Sequence, residues 1–110
     1  MKKILFLLLF ISSLANGQSV EELFSKANTF YKQGNLEMAI ENYLEIDKQE
    51  EVSSELYYNL GNCYYKLNNV AETIYYYEKA LKLNPLNEDA RNNLVFAKRL
   101  TIDSIKELPK

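Results

Sequence analysis

The sequence predicts an all-α fold made of two helical hairpins followed by a C-terminal capping helix. Two observations carry this prediction: apolar residues recur at helical spacing, and the chain repeats itself at an offset of 34 residues. With 110 residues, 47% of them hydrophobic and 25% charged, the chain suits one small domain. The pairs aligned by the offset are Ala27 and Gly61, Asn28 and Asn62, Phe30 and Tyr64, Tyr31 and Tyr65, Lys32 and Lys66, Asn35 and Asn69, Ile40 and Ile74, and Tyr43 and Tyr77.

Residues 1–17 have the layout of a secretory signal peptide. Lys2 and Lys3 give a basic start, residues 4–11 are apolar, and small or polar residues follow. The apolar run is shorter than the ~20 residues that cross a bilayer, so cleavage is favoured over permanent anchoring. Cleavage after Gly17 is preferred, and cleavage after Ala15 also fits. We therefore expect an exported protein, in the periplasm or at the outer face of the cytoplasmic membrane.

The first repeat unit is predicted over residues 18–53 and the second over residues 54–87. Gly34 marks the turn of the first unit, because glycine adopts positive φ at little cost. Asn68 and Asn69 separate two apolar runs in the second unit, and each run spaces its residues along one helical face. We expect both faces to be buried. The runs are Tyr57, Leu60, Gly61 and Tyr64, then Val70, Ile74, Tyr77 and Leu81, with Gly61 and Ala80 small enough for close helix packing.

A fifth helix is expected over residues 88–106, with residues 107–110 as a tail. Pro85 ends the fourth helix, Asn87 is an N-cap, and Glu88 opens an acidic first turn. One stripe of this helix is apolar, and the other side is mostly polar. Such a half-polar helix is expected to cap the end of a stack. The stripe consists of Ala90, Leu94, Ala97 and Leu100.

The composition argues against catalysis, cofactors, metals and nucleic acid. There is no histidine, the three glycines are scattered, and Glu50 and Glu51 fit a solvated connection better than an acid–base pair. No metal-ligand cluster is visible. Cleavage after Gly17 would leave 11 basic against 15 acidic residues, a net charge of −4, which disfavours phosphate backbones. The single cysteine, Cys63, cannot form an internal disulfide and is expected to be buried and inert.

These residues resemble the tetratricopeptide-repeat (TPR) family. In the second unit Thr73 replaces the usual alanine, and in the first unit Lys26, Ile46 and Glu51 replace the family's leucine, small residue and proline. The resemblance implies a right-handed stack of antiparallel helices that binds proteins and catalyses nothing. The residues that fit the family pattern are Leu23, Ala27, Phe30, Ala39 and Tyr43 in the first unit, and Tyr57, Leu60, Gly61, Tyr64, Tyr77, Ala80 and Pro85 in the second.

In that family, a stripe on the first helix of each unit lines a concave groove for extended peptides. Amide side chains there can donate to and accept from a peptide backbone, and tyrosines offer contact area at small entropic cost. The alternative is that these side chains only pack together or are solvated. The predicted groove residues are Phe24, Asn28, Tyr31, Lys32, Tyr58, Asn59, Asn62, Tyr65, Lys66 and Asn93.

Asn28 and Asn59 match the two asparagines of the carboxylate clamp found in some TPR proteins. The basic residues of that clamp are missing, because Phe24, Asp89 and Asn93 stand in their places. A free carboxylate would be poorly neutralised there. We therefore expect the groove to take an internal segment or a folded partner, rather than a small molecule or a free C-terminus.

From Leu56 onward the chain is similar to the TPR proteins of the bacterial Bat (aerotolerance) operon. That resemblance implies a cell-envelope complex with von Willebrand A-type membrane proteins. Many of those proteins continue into a membrane helix and a small β-domain, so this chain would be a short relative or a truncated product. Because stable stacks usually need three or more units, self-assembly into a homodimer is the alternative function.

Overall fold

The computed structural model describes residues 18–106, with side chains as far as residue 103. The predicted signal peptide and the tail lie outside these residues. Within the described part the chain is helical and contains no strand, which confirms the all-α prediction. Its five helices are α1 (Val20–Lys32), α2 (Leu36–Lys48), α3 (Ser54–Lys66), α4 (Val70–Leu83) and α5 (Glu88–Lys106).

Each helix packs on the next one in the chain, so the helices form a stack. The most extensive contacts lie within the hairpins α1–α2 and α3–α4, while α2 joins the hairpins and α5 covers α4. One continuous core runs through the stack. Its members are Leu23, Ala27, Ala39, Ile40, Tyr43, Ile46, Leu56, Tyr57, Leu60, Cys63, Tyr77, Ala80, Ala90 and Leu94.

Local sequence signals set the helix ends. Ser19 and Ser53 are N-caps. The Oγ atom of each accepts a hydrogen bond from the backbone N–H three residues later, at 3.1 Å for Ser19 and 3.0 Å for Ser53. Gly34 ends the first turn with φ of 79°, as predicted, and Asn68 holds the equivalent place in the second unit with φ of 62°. Both residue types tolerate this left-handed backbone, so the two hairpins turn in the same way.

The buried face of α4 differs from the predicted one. Tyr77 is buried as expected, but Val70, Ile74 and Leu81 are only half-buried. Thr73 and Ala80 instead join Tyr77 in the core, so the face is centred one position away from the predicted one. The buried Thr73 is accommodated because its hydroxyl donates to the carbonyl of Asn69 at 2.7 Å, which satisfies its polar atom locally.

Helix α5 begins as the sequence predicts, since Asn87 Oδ1 accepts from the Ala90 N–H at 3.1 Å. The predicted apolar stripe is only partly covered. Ala90, Leu94 and Ala97 are buried, whereas Leu100 is exposed. Ile102 is exposed too. No helix in the described part is long and apolar enough to cross a membrane.

Candidate functional site

Two neighbouring cavities lie along the first helices of the units. The smaller one, which we call cavity A, has a volume of about 150 Å³ and is lined by Asn28, Tyr31, Lys32, Tyr43 and Asn59. Cavity B has a volume of about 270 Å³ and shares Tyr31 with cavity A. Its lining is Tyr31, Tyr58, Asn62, Tyr65, Lys66, Tyr77, Asn93 and Phe96. Together they form an open groove with contributions from all five helices.

All but one of the residues predicted for the groove line one of these cavities. The exception is Phe24, which is half-buried and packs edge-on against Tyr43, with ring centroids 5.6 Å apart and planes at 72°. Aromatic rings favour this geometry. Phe24 therefore supports the wall behind cavity A instead of lining the cavity.

The two hairpins repeat one hydrogen bond across the base of the groove. The hydroxyl of Tyr43 donates to Asn28 Oδ1, and the hydroxyl of Tyr77 donates to Asn62 Oδ1, both at 2.5 Å. Both tyrosines are 1% exposed. Burial is the main cause that raises the pKa of each hydroxyl above its usual value, so both stay protonated and able to donate.

The amide of Asn93 extends the second of these pairs. Its Nδ2 lies 3.4 Å from Asn62 Oδ1 and 3.5 Å from the Tyr77 hydroxyl oxygen. The side chain of Asn59, one repeat before Asn93, lowers the pKa of Tyr43, although burial outweighs this effect. Each buried tyrosine thus sits between two asparagines from successive first helices.

These bonds change the expected chemistry of the groove amides. The sequence suggested that the asparagines both donate and accept toward a peptide. In the structure the oxygens of Asn28 and Asn62 already accept from tyrosine hydroxyls. Their Nδ2 groups keep two N–H donors each. These two amides can therefore offer mainly donors to a ligand.

A lysine and a tyrosine meet where the two cavities join. Lys66 Nζ of α3 lies 4.4 Å from the ring centroid of Tyr31 of α1. Such a cation–π contact contributes about 0.5–1 kcal/mol at an exposed site. It places a positive charge at the mouth of the groove, beside the exposed ring of Tyr65.

The sequence analysis missed three lining residues. Tyr43 and Tyr77 were taken as core residues, yet their hydroxyls reach the base of the cavities. Phe96 lies on α5, is 55% exposed and lines cavity B. The 34-residue offset could have found it, because Phe96 occupies in α5 the place that Asn62 occupies in α3.

In the described part of the chain, no three histidine, cysteine or acidic side chains cluster as a metal site. Cys63 is buried as predicted, and burial raises the pKa of its thiol to about 12. Glu50 and Glu51 are exposed in the connection between the hairpins, as the sequence suggested.

Comparison with known proteins bears on the second hairpin. Residues 54–87, from the start of α3 to the connection before α5, match the tetratricopeptide-repeat family. No curated protein matches the chain, so the resemblance to the Bat-operon proteins stays a prediction. Repeats of this family form a non-catalytic fold and generally mediate protein–protein interactions. The second hairpin is therefore similar to a tetratricopeptide repeat, and the all-helical stack is consistent with a series of such hairpins.

Proposed function

We propose that this chain is a non-enzymatic adaptor that binds a segment of a partner protein in the groove formed by cavities A and B. The observation that carries the proposal is the pair of adjoining cavities, which share Tyr31 and are lined by residues of all five helices. An open, aromatic groove with fixed amides can hold an extended chain through both backbone and side-chain contacts.

The repeated tyrosine–asparagine bonds favour binding over a purely solvated surface. Tyr77 fixes Asn62, and Tyr43 fixes Asn28, before any ligand arrives. Because these side chains are already ordered, a ligand loses less conformational entropy when it binds them. Tyr65 and Phe96 beside them are exposed aromatic residues, the types enriched where proteins bind partners.

The cellular setting belongs to the same proposal. The N-terminal segment is a signal peptide that directs the chain to the periplasm or to the outer face of the cytoplasmic membrane. There the adaptor joins a Bat-type envelope complex whose partner is a von Willebrand A-type membrane protein. The N-terminal sequence pattern and the similarity from Leu56 onward motivate this part of the proposal.

The test is a crosslinking pull-down from envelope extracts with the chain produced from its full-length gene. The groove variant carries Tyr65→Ala and Phe96→Ala, which remove two exposed rings and leave the Tyr77–Asn62 bond intact. The control variant carries Tyr75→Ala and Lys82→Ala, exposed residues of α4 that line neither cavity.

All three proteins should show the same helical circular dichroism. We expect the parent and the control to retain one discrete membrane protein that the groove variant loses. Equal capture by all three proteins would place binding outside the groove and contradict the proposal. The same preparation tests export: N-terminal sequencing should give Gln18, or Asn16 for the alternative cleavage, and an intact Met1 would contradict it.

Self-assembly is the second candidate function, and exposed apolar side chains on α5 favour it. Val95, Phe96, Leu100 and Ile102 are 42–55% exposed on the last helix of the stack. A second copy that covered them would bury an otherwise hydrated apolar surface. Sedimentation equilibrium should then show a dimer that Leu100→Asp dissociates. A monomer at high concentration would remove this candidate.

A further inference from the structure

We infer that the groove takes an extended acidic segment, with one aromatic residue of that segment seated in cavity B. This inference rests on the proposed function and specifies the chemistry of the partner segment. Three independent features of the groove point to it: the direction of its hydrogen bonds, its local charge and its ring-lined cavity.

The first feature is that the oxygens of two groove amides are occupied by protein donors, so these amides present N–H groups to a ligand. Asn62 Oδ1 accepts from Tyr77 at 2.5 Å and is 3.4 Å from Asn93 Nδ2, so both of its lone pairs face protein donors. Asn28 Oδ1 accepts from Tyr43 at 2.5 Å. The Nδ2 groups of Asn28 and Asn62 and the nearby lysines remain available, and a lysine only donates. A matching ligand must supply acceptors, as backbone carbonyls and carboxylates do.

The second feature is positive charge inside an acidic chain. The chain has a net charge of −2, yet Lys32 lines cavity A and Lys66 lines cavity B. These lysines occupy the same position in the two units. The one salt bridge found in the described residues joins Lys98 to Glu78, so neither groove lysine forms a salt bridge there. A negatively charged segment would therefore be attracted to this rim.

One acidic residue, Glu55, acts on the base of cavity A from the helix that carries Lys66 at its opposite end. Glu55, in the first turn of α3, contributes to the raised pKa of Tyr43, although burial is the larger cause. Lys66 is at the last turn of the same helix, about 16 Å away along the axis. The positive rim is therefore one edge of the groove, and the acidic side chains of a ligand are expected along that edge.

The third feature is the lining of cavity B. The rings of Tyr31, Tyr58, Tyr65 and Phe96 surround a volume of about 270 Å³. Aromatic rings pack favourably on other rings in edge-on or offset arrangements, which adds to the gain from apolar burial. A cationic side chain would also suit such rings, but the charge of Lys66 at the mouth opposes it. An aromatic side chain of the ligand would pack on the rings of cavity B, and acidic residues beside it would be attracted to Lys66.

The experiment is selection of displayed random peptides against the full-length parent protein. We expect the selected peptides to combine Asp or Glu with one aromatic residue. Their affinity should fall by about tenfold for the Lys32→Glu and Lys66→Glu double variant, since two exposed ion pairs are replaced by repulsion. Peptides with the acidic residues changed to lysine should then prefer the double variant. A Lys48→Glu and Lys82→Glu protein, changed outside the cavities, is the matched control.

Different outcomes separate this inference from the proposed function. Selected peptides that need Tyr65 and Phe96 but are neutral or basic would overturn the acidic segment and leave the groove function standing. Acidic peptides without an aromatic residue would overturn the anchor. If no selected peptide depends on Tyr65 and Phe96, groove binding of a linear segment fails, and this inference fails with it.

Discussion

The ring of Tyr77 in α4 packs directly over the backbone of Gly61 in α3. A Cβ built on Gly61 would overlap Cδ1 and Cε1 of that ring and lie 3.2 Å from its Cγ. The glycine therefore sets how closely the helices of the second hairpin approach. That approach also brings the Tyr77 hydroxyl to Asn62, so the packing of Gly61 and the chemistry of cavity B are linked.

Gly61→Ala should destabilise the fold even though alanine favours helices over glycine by about 1 kcal/mol. The Tyr77 ring is 1% exposed and its hydroxyl is bonded to Asn62, so displacing the ring would disturb both contacts, and we expect a net loss of about 1–3 kcal/mol. Urea unfolding followed by circular dichroism measures this loss. Glu72→Ala, on the exposed surface of α4, should change stability by less than about 0.5 kcal/mol. A more stable Gly61→Ala protein would contradict the packing described here.

Tyr77→Phe should lower the free energy of unfolding by about 0.5–1.5 kcal/mol, because it removes the hydroxyl that donates to Asn62 and keeps the ring. The loss is measured as a lower urea concentration at the unfolding midpoint, with an unchanged dependence of the unfolding free energy on urea concentration. Tyr75→Phe is the control, since that side chain is 53% exposed. Equal midpoints for the parent and Tyr77→Phe would show that the bond adds no stability.

Cys63 should be protected from thiol reagents in the native state. The thiolate is the reactive form, and burial both raises the thiol pKa to about 12 and blocks access. At pH 8 the reaction of the folded chain with Ellman's reagent should be at least about 100-fold slower than in concentrated urea. An exposed cysteine introduced as Ser25→Cys provides the comparison. Rapid native labelling of Cys63 would mean that the α3–α4 core opens readily.

Stability should fall as the pH rises above about 10. Burial is the main cause that raises the pKa of Tyr76 to about 12, whereas an unfolded tyrosine titrates near pH 10. Between these values the unfolded chain has lost the proton and the folded chain has kept it, so alkali favours unfolding. Urea midpoints measured from pH 8 to pH 12 should show the decline.

Tyr76→Phe should flatten that decline, because it keeps the ring stacked on Tyr64, at 5.5 Å, without the ionisable hydroxyl. The alkaline slopes of the variant and the parent are compared after each is normalised to its pH 8 midpoint. Identical slopes would show that Tyr76 titrates alike in both states.

Patterns along the sequence were sufficient to predict much of the fold. Helical spacing and the 34-residue offset predicted the α-helical hairpins, and short-range chemistry predicted the turn at Gly34 and the cap at Asn87. These features depend on residues within one or two helical turns, so a linear pattern records them. The burial of Cys63 followed in the same way from its place in a helix interface.

The site was less predictable, because its geometry depends on side chains from several helices. The sequence proposed nine residues that line the two cavities, but it also included Phe24, which turns to pack against Tyr43. Phe96 went unnoticed because its apolar side chain does not continue the asparagine pattern of Asn28 and Asn62. Periodicity identifies the face on which a residue lies and leaves open which neighbour it contacts.

The sequence by itself thus determined the helical repeat and the turns, since each follows from local spacing, and it indicated most of the residues that line the two cavities. The tertiary structure alone decided that Tyr43 and Tyr77 occupy the oxygens of Asn28 and Asn62. It also decided that Leu100 stays exposed. The physical reason is that a hydrogen bond or a buried contact needs atoms from separate helices at fixed distances, which no single helical pattern contains.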